Sequence, residues 1–159
     1  MCGLNHVGFG AFTAEGITAM ADALRVNGTL TALNLSSNRL NDEDVSAVCK
    51  AIQSNKETKL ASLNFKDNGI GPVGANAVAA MVAATGALTV ANLLGNELDA
   101  ESAKMLAEVA KQKGISLCGI RRDQTTADFR DKDLKPPDAI LLASDLSQAV
   151  VTGALTKIE

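Results

Sequence analysis

LTALNLSSNRL at residues 30–40 recurs as LASLNFKDNGI at 60–70 and as LTVANLLGNEL at 88–98. The three stretches share the pattern L-x-x-L-x-L-x-x-N-x-L, with Phe65 and Ala91 as conservative departures, and they begin 30 and then 28 residues apart. Self-similarity at a fixed period of this length denotes units that bury their apolar faces on one another. Within each unit Leu33 and Leu35, Leu63 and Phe65, and Ala91 and Leu93 alternate with more polar positions, which predicts a short half-buried strand. Asn38, Asn68 and Asn96 follow three residues after the last strand apolar, where the chain must turn without a sheet partner. An amide side chain there supplies both a donor and an acceptor to backbone groups that would otherwise be buried unpaired.

Working outward, each turn runs into a helix-start signal: Asp42-Glu43-Asp44, Pro72, or Asp99-Ala100-Glu101. Acidic residues and proline in the first turn suit a helix N-terminus. The apolar spacing that follows is helical, through Val45, Val48 and Ile52, then Ala75, Val78 and Val82, then Ala103, Leu106 and Ala110. Ile17, Met20 and Leu24 occupy the same helix positions 28 residues before Val45, Val48 and Ile52, so 1–29 reads as a divergent first unit. Units 30–59, 60–87 and 88–116 are regular. The stretch 117–154 is irregular: SLCGI at 116–120 resumes a strand, RRDQTT interrupts it, and ADFRDKDL at 127–134 matches LNFKDNGI with Lys132 at the asparagine position. Pro136 and Pro137 then open a helix, and LTKI at 155–158 begins another unit. The pattern breaks off there, which creates the expectation of a longer array, or of self-association through an uncapped C-terminal end.

A period of 28–30 residues with a full helix per unit makes the chain resemble the ribonuclease-inhibitor-like leucine-rich repeats. The resemblance implies an α/β solenoid, a right-handed βα superhelix bent into a horseshoe with parallel strands on the concave face and helices on the convex face. Curvature also follows from elementary spacing, since neighbouring strands lie about 4.8 Å apart while packed helices prefer about 8–10 Å. Members of that family usually hold protein partners on the concave face or its rim. The pattern residues are framework, so they identify a fold and not a task.

The composition narrows the task. With 47% apolar residues, no Trp or Tyr and four Phe, the core is aliphatic and aromatic binding anchors are scarce. A net charge of −3 without a basic stripe argues against nucleic acid as partner. Cys2, Cys49 and Cys118 are far apart, without C-x-x-C spacing, so neither a disulfide frame nor a metal site is expected, and a reducing, cytoplasmic setting fits. Residues 69–96 carry no charged side chain, yet loop-type polar residues interrupt them, so no membrane span is expected. Gly69-Ile-Gly71-Pro-Val-Gly74 spells G-x-G-x-x-G, but Pro72 removes a backbone donor and the other units carry acidic residues there, which argues against a nucleotide. Asp128, Asp131, Asp133 and Asp138 alternate with Arg130, Lys132 and Lys135, the pattern of a solvated surface. His6 has no nucleophile near it in sequence. No catalytic residue, cofactor or metal is expected.

Period-2 alternation directs the remaining strand residues away from the core. Asn34, Asn64, Asn92 and Asp128 are expected to stack in one row on the concave face, beside a second row of Ser36, Lys66, Leu94 and Arg130. Leu94 is the expected apolar anchor of a contact, flanked by Lys66 and Arg130. The function expected is a non-enzymatic scaffold that binds a protein partner through this face or the rim loops. The alternative is a regulatory domain of a larger signalling or GTPase-activating protein.

Overall fold

The computed structural model describes Cys2–Leu4, Gly10–Phe12 and residues 14–159. His6 lies outside the described residues. β1 (Cys2–Leu4) and β2 (Gly10–Phe12) pair antiparallel, and α1 (Ala14–Val26) follows. Three βα units come next: β3 (Ala32–Asn34) with α2 (Asp42–Ser54), β4 (Ser62–Asn64) with α3 (Pro72–Ala84), and β5 (Val90–Asn92) with α4 (Ala100–Lys113). The chain ends in β6 (Thr126–Ala127), α5 (Pro136–Leu146), α6 (Ala149–Thr152) and β7 (Lys157–Ile158).

β3, β4 and β5 form one parallel sheet in which Leu33, Leu63 and Ala91 are in register, as are Asn34, Asn64 and Asn92. Each helix packs on the next, α1 on α2 through to α4 on α5. Between strands and helices lies an aliphatic core that includes Leu40, Leu63, Phe65, Ile70, Val78, Leu93 and Leu106, all buried. Side chains cap α2 and α4 at the expected helix starts, while Pro72 opens α3 without a side-chain cap. Asn41 accepts the Asp44 N–H at 3.0 Å while Asp44 accepts the Asn41 N–H at 3.1 Å, and Asp99 accepts the Ser102 N–H at 2.7 Å.

The turn asparagines join adjacent units. Asn68 Oδ1 accepts the Asn38 and Leu40 N–H groups of the unit before it, at 3.1 and 2.9 Å. Its Nδ2 donates to the Leu35 and Phe65 carbonyls, both at 2.9 Å. Asn96 does the same one unit later, accepting the Ile70 N–H and donating to the Phe65 and Leu93 carbonyls. The backbone at Ser37, Asp67, Gly95 and Asp131 is left-handed at φ 58, 54, 71 and 54°, so the same turn recurs in the irregular fourth case.

There the asparagine ladder stops, because Lys132 has no acceptor to offer. Asp138, from the first turn of α5, bonds the neighbouring amide instead: one carboxylate oxygen accepts the Gly95 N–H at 3.0 Å and the other the Lys135 N–H at 2.9 Å. Residues 116–120 also depart from expectation. In place of a regular strand they make two isolated bridges to β5, one parallel at Ser116 and one antiparallel at Cys118. The Asp145 carboxylate of α5 gathers their backbone, and Gly119, at φ 79°, bends the chain away. β6 consequently pairs with β7 in a separate two-stranded sheet. That pair reproduces the ladder of the regular units: the Thr125 carbonyl accepts two amides, Thr156 and Lys157, as the Thr31 carbonyl accepts those of Ala61 and Ser62.

Candidate interaction surface

Strand alternation turns Asn34, Asn64 and Asn92 to one face, and parallel register stacks them in a row. Each bends its own carbonyl oxygen back onto the strand, where it accepts the N–H two residues on: Ser36 at 3.0 Å, Lys66 at 3.0 Å and Leu94 at 3.2 Å. The row therefore terminates the strands as well as lining their face. Ser36 adds a second hydrogen bond, its hydroxyl donating to Asn34 Oδ1 at 2.8 Å. Lys66 is half-buried and ion-paired with Asp67.

Two expected members are placed elsewhere. Leu94 is 3% exposed and belongs to the core, so it is no surface anchor. The bend at 116–120 returns across this end of the sheet, and a Cβ added at Gly119 would stand 2.8 Å from Asn92 Nδ2. Val90, on the same face, is buried as well. Asp128 is not the neighbour of Asn92 in the row: Cys118 is bridged there, and Asp128 belongs with the β6–β7 pair beside Glu159. The inserted backbone held by Asp145 is what separates them. Asp128 keeps the local geometry of the row, accepting the Arg130 N–H at 2.9 Å. Its two oxygens also receive the Arg130 guanidinium at 3.0 and 2.8 Å, and those bonds hold its carboxyl well below the usual carboxylate range. Arg130 is exposed and also 3.6 Å from Glu159. The open part of the row is thus Asn34, Ser36, Asn64 and Lys66, with Asp128 and Arg130 forming a distinct patch.

Along the turn edge of the sheet the left-handed turns stack into a cleft. One part, about 590 Å³, is lined by Arg39, Asn41, Asp67, Gly69, Gly95 and Glu97. The adjoining part, about 360 Å³, shares Asp67 and Gly95 and continues to Lys66 and the 131–135 turn. Charges of both signs line it. The glycine motif at 69–74 does not form a phosphate cradle: Asp42 of the preceding unit already accepts the Gly71 N–H at 2.7 Å. An added Cβ at Gly74 would meet the same carboxylate at 2.6 Å. A carboxylate at the N-terminus of α3 repels the anion that such a motif would serve.

Buried polar groups here are structural. Asp145, fully buried, accepts the Ser116 hydroxyl at 2.6 Å and the Leu117 and Cys118 N–H groups at 2.9 and 3.0 Å. Burial pushes its carboxyl up despite those bonds. Burial likewise pushes the Cys49 thiol up to about 12, and burial with the nearby Asp145 charge raises that of Cys118. Neither thiol is a nucleophile at neutral pH. Asp138, expected on a solvated charged surface with Asp128, Asp131 and Asp133, is instead 2% exposed because it holds the Gly95 and Lys135 N–H groups, and sequence reasoning missed Asp145. No helix among the described residues is long and apolar enough to cross a membrane.

Comparison with known proteins agrees with this architecture. Residues 26–49 and 56–79 match the family model described as Leucine Rich repeat. NACHT, LRR and PYD domains-containing protein 13 of Homo sapiens is 30% identical over 107 residues, 67% of this chain and 10% of that protein. The corresponding protein 5 of Bos taurus is 28% identical over 102 residues, 64% of this chain and 9% of its own. The chain thus spans about a tenth of the length of these curated relatives. Among solved structures, leiomodin-1 actin-binding site 2 superposes with a TM-score of 0.61 at 19% identity, over 86% of this chain and 73% of that one. The tropomodulin C-terminal domain of Caenorhabditis elegans gives 0.58 at 16%, over 89% and 80%. Identities this low speak to fold alone. The units at 26–49 and 56–79 are leucine-rich repeats, and the α/β fold they belong to, alternating helices and parallel strands, extends over most of the chain.

Proposed function

We propose that the chain is a non-enzymatic interaction module that holds a protein partner on the outward face of β3 and β4, with the turn edge as rim. In this reading the array is a ribonuclease-inhibitor-like horseshoe, that face is concave, and the protein works in the cytoplasm. The observation that carries it is the contrast within the sheet: the inward positions Leu35, Leu63 and Phe65 are buried, while Asn34 is exposed and Ser36, Asn64 and Lys66 are only half-buried. A rigid framework presenting polar side chains in register suits recognition. One solved structure of similar fold is an actin-binding site, which supports the same reading.

The test adds bulk to the face without touching the strand-terminating amides. Ala32 and Ser62 are outward and in register, so Ala32→Arg with Ser62→Arg should abolish capture of the chain's protein partner while leaving the melting temperature unchanged. Lys104→Glu, exposed on α4, should leave capture intact. A partner retained by the double variant overturns the reading.

A second reading rests on the length of the relatives. Their names join the repeats to other domains, so the chain would act as the regulatory part of a larger signalling protein. Self-association through the β7 edge, where Leu146, Leu155 and Ile158 line a cavity of about 380 Å³, is the further partner this reading allows.

A further inference from the structure

We infer that the partner segment held by this face is acidic and extended, with Asn34, Asn64 and Lys66 as the donors that read it; this deepens the proposal that the face binds a protein and rests on it. The outward positions of the three strands and the residues just after them are Ala32, Asn34, Ser36, Ser62, Asn64, Lys66, Val90, Asn92 and Leu94, which include one cation and no carboxylate.

The amides sharpen this bias. A primary amide offers one oxygen acceptor and an NH₂ group with two donors on the same planar carbon. Asn34 and Asn64 spend the oxygen within the chain, on the Ser36 and Lys66 N–H groups, each at 3.0 Å. Ser36 points its hydroxyl proton at the same Asn34 oxygen at 2.8 Å. What each of these amides has left for a partner is its NH₂, and among the described residues neither NH₂ makes a hydrogen bond. Lys66, fixed beside them by Asp67, keeps further N–H donors on its ammonium. Asn92 is excluded from the open part because Gly119 lies against its amide.

A surface of N–H donors in register, whose one cation is paired at its edge with Asp67, complements a chain rich in oxygen acceptors. Carboxylates accept the strongest such bonds, since charge-assisted pairs are roughly twice as strong as neutral ones. Asp128 shows that the same backbone geometry tolerates a carboxylate, for it accepts the Arg130 N–H at 2.9 Å just as the asparagines accept theirs. Asn→Asp substitution in the row therefore removes the donor and keeps the strand terminator.

The experiment titrates the full chain against labelled oligoglutamate, oligolysine and oligothymidylate at low salt. Oligoglutamate should bind, oligolysine should not, and the side-chain NH₂ resonances of Asn34 and Asn64 should shift on titration. Asn34→Asp with Asn64→Asp should weaken oligoglutamate binding by about tenfold or more, the loss of two charge-assisted bonds. Lys66→Gln, which leaves both amides in place, should weaken it by a smaller factor and decides the matter if the double variant melts early. No binding of oligoglutamate, equal binding by the variants, or equal binding of oligothymidylate or oligolysine overturns the inference. Partner capture lost on Ala32→Arg with Ser62→Arg while oligoglutamate fails to bind would leave the surface standing and remove only its acidic partner.

Discussion

Asp145 accepts the Ser116 hydroxyl at 2.6 Å across 29 residues of chain, and through that contact α5 carries the backbone of the segment beside β5. The same carboxylate takes the Leu117 and Cys118 N–H groups, while Ser116 Oγ accepts the Ile120 N–H at 2.9 Å. A single buried side chain thus supplies the acceptors that a next strand would give this segment, whose other edge keeps its backbone bonds to Thr89, Ala91 and Leu93. Asp145→Ala strands these donors in the core. Each buried unpaired donor costs about 1–3 kcal/mol, so the expected loss is about 3 kcal/mol or more. Urea unfolding checks it; a loss below about 1 kcal/mol would show that water or rearrangement satisfies the segment.

Titration of Asp145 has a sign that differs from the surface carboxylates. Its folded-state pKa lies above the unfolded value of about 3.9, because burial outweighs its hydrogen bonds. The folded state then takes up a proton before the unfolded state does. Relative to Asp145→Asn, the native protein should gain stability as pH falls from neutral through that raised pKa, and the gain should level off below the unfolded pKa. Asp128 and Asp99 act oppositely: hydrogen bonds from Arg130 and from Ser102 lower their pKa, so their contribution is present above the unfolded pKa and lost as pH falls through the folded one. Paired urea titrations across acidic pH separate the two. A constant difference between native and Asp145→Asn would contradict the assignment.

Asn68 is 8% exposed and serves two units at once, accepting from Asn38 and Leu40 and donating to Leu35 and Phe65. Asn68→Ala removes all of these together. The expected cost is about 3 kcal/mol, several unmade buried bonds at about 1 kcal/mol or more each. Lys132 occupies the equivalent position in the irregular unit but is exposed, with Asp138 doing the bonding, so Lys132→Ala should stay within about 0.5 kcal/mol. Chemical denaturation of the two variants in parallel makes the comparison.

The regular units were legible because their signals are local. Leu33, Leu63 and Ala91 announce strands by alternation, Asp44 and Asp99 announce helix starts, and Asn68 announces the turn, the polar ones through bonds to backbone within or one unit from themselves. The row at Asn34, Asn64 and Asn92 was legible for the same reason. What could not be read was any contact made at long separation by a residue outside the pattern. Asp138 reaches Gly95 across 43 residues and Asp145 reaches Leu117 across 28, and no periodicity marks either. The Asp145 contact holds the segment 116–120 beside β5, where Cys118 takes the place in the row expected for Asp128. Leu94 in the core, Asp128 outside the row, the broken strand at 116–120 and the buried Asp138 are where the sequence reading departs from the structure.

Leu94, being core, should behave as core. Leu94→Ala leaves a cavity and should cost about 2–5 kcal/mol, the range for a buried leucine. Leu94→Asp buries a charge without a partner and should prevent folding near room temperature. A surface anchor would show neither effect: its loss would weaken partner binding at unchanged stability. Thermal melts of Leu94→Ala distinguish the two, and an unshifted melt would return Leu94 to the surface.

Gly119 is where the irregular segment turns against the open face. Its φ of 79° is one that side chains with a Cβ rarely adopt, and an added Cβ would stand 2.8 Å from Asn92 Nδ2 and 3.3 Å from Asn92 Cβ. Gly119→Ala therefore carries both a backbone cost and a steric one, about 1–3 kcal/mol for the backbone alone. The flexible Asn92 amide can move aside, and the strain is relieved if it gives up the Leu94 N–H it holds at 3.2 Å. The expected result is a lowered melting temperature together with a displaced Asn92 side-chain resonance, while those of Asn34 and Asn64 stay in place. Asn34 and Asn64 moving with Asn92 would mean that the three amides respond as one body, and that the bend at Gly119 sets the geometry of the whole row.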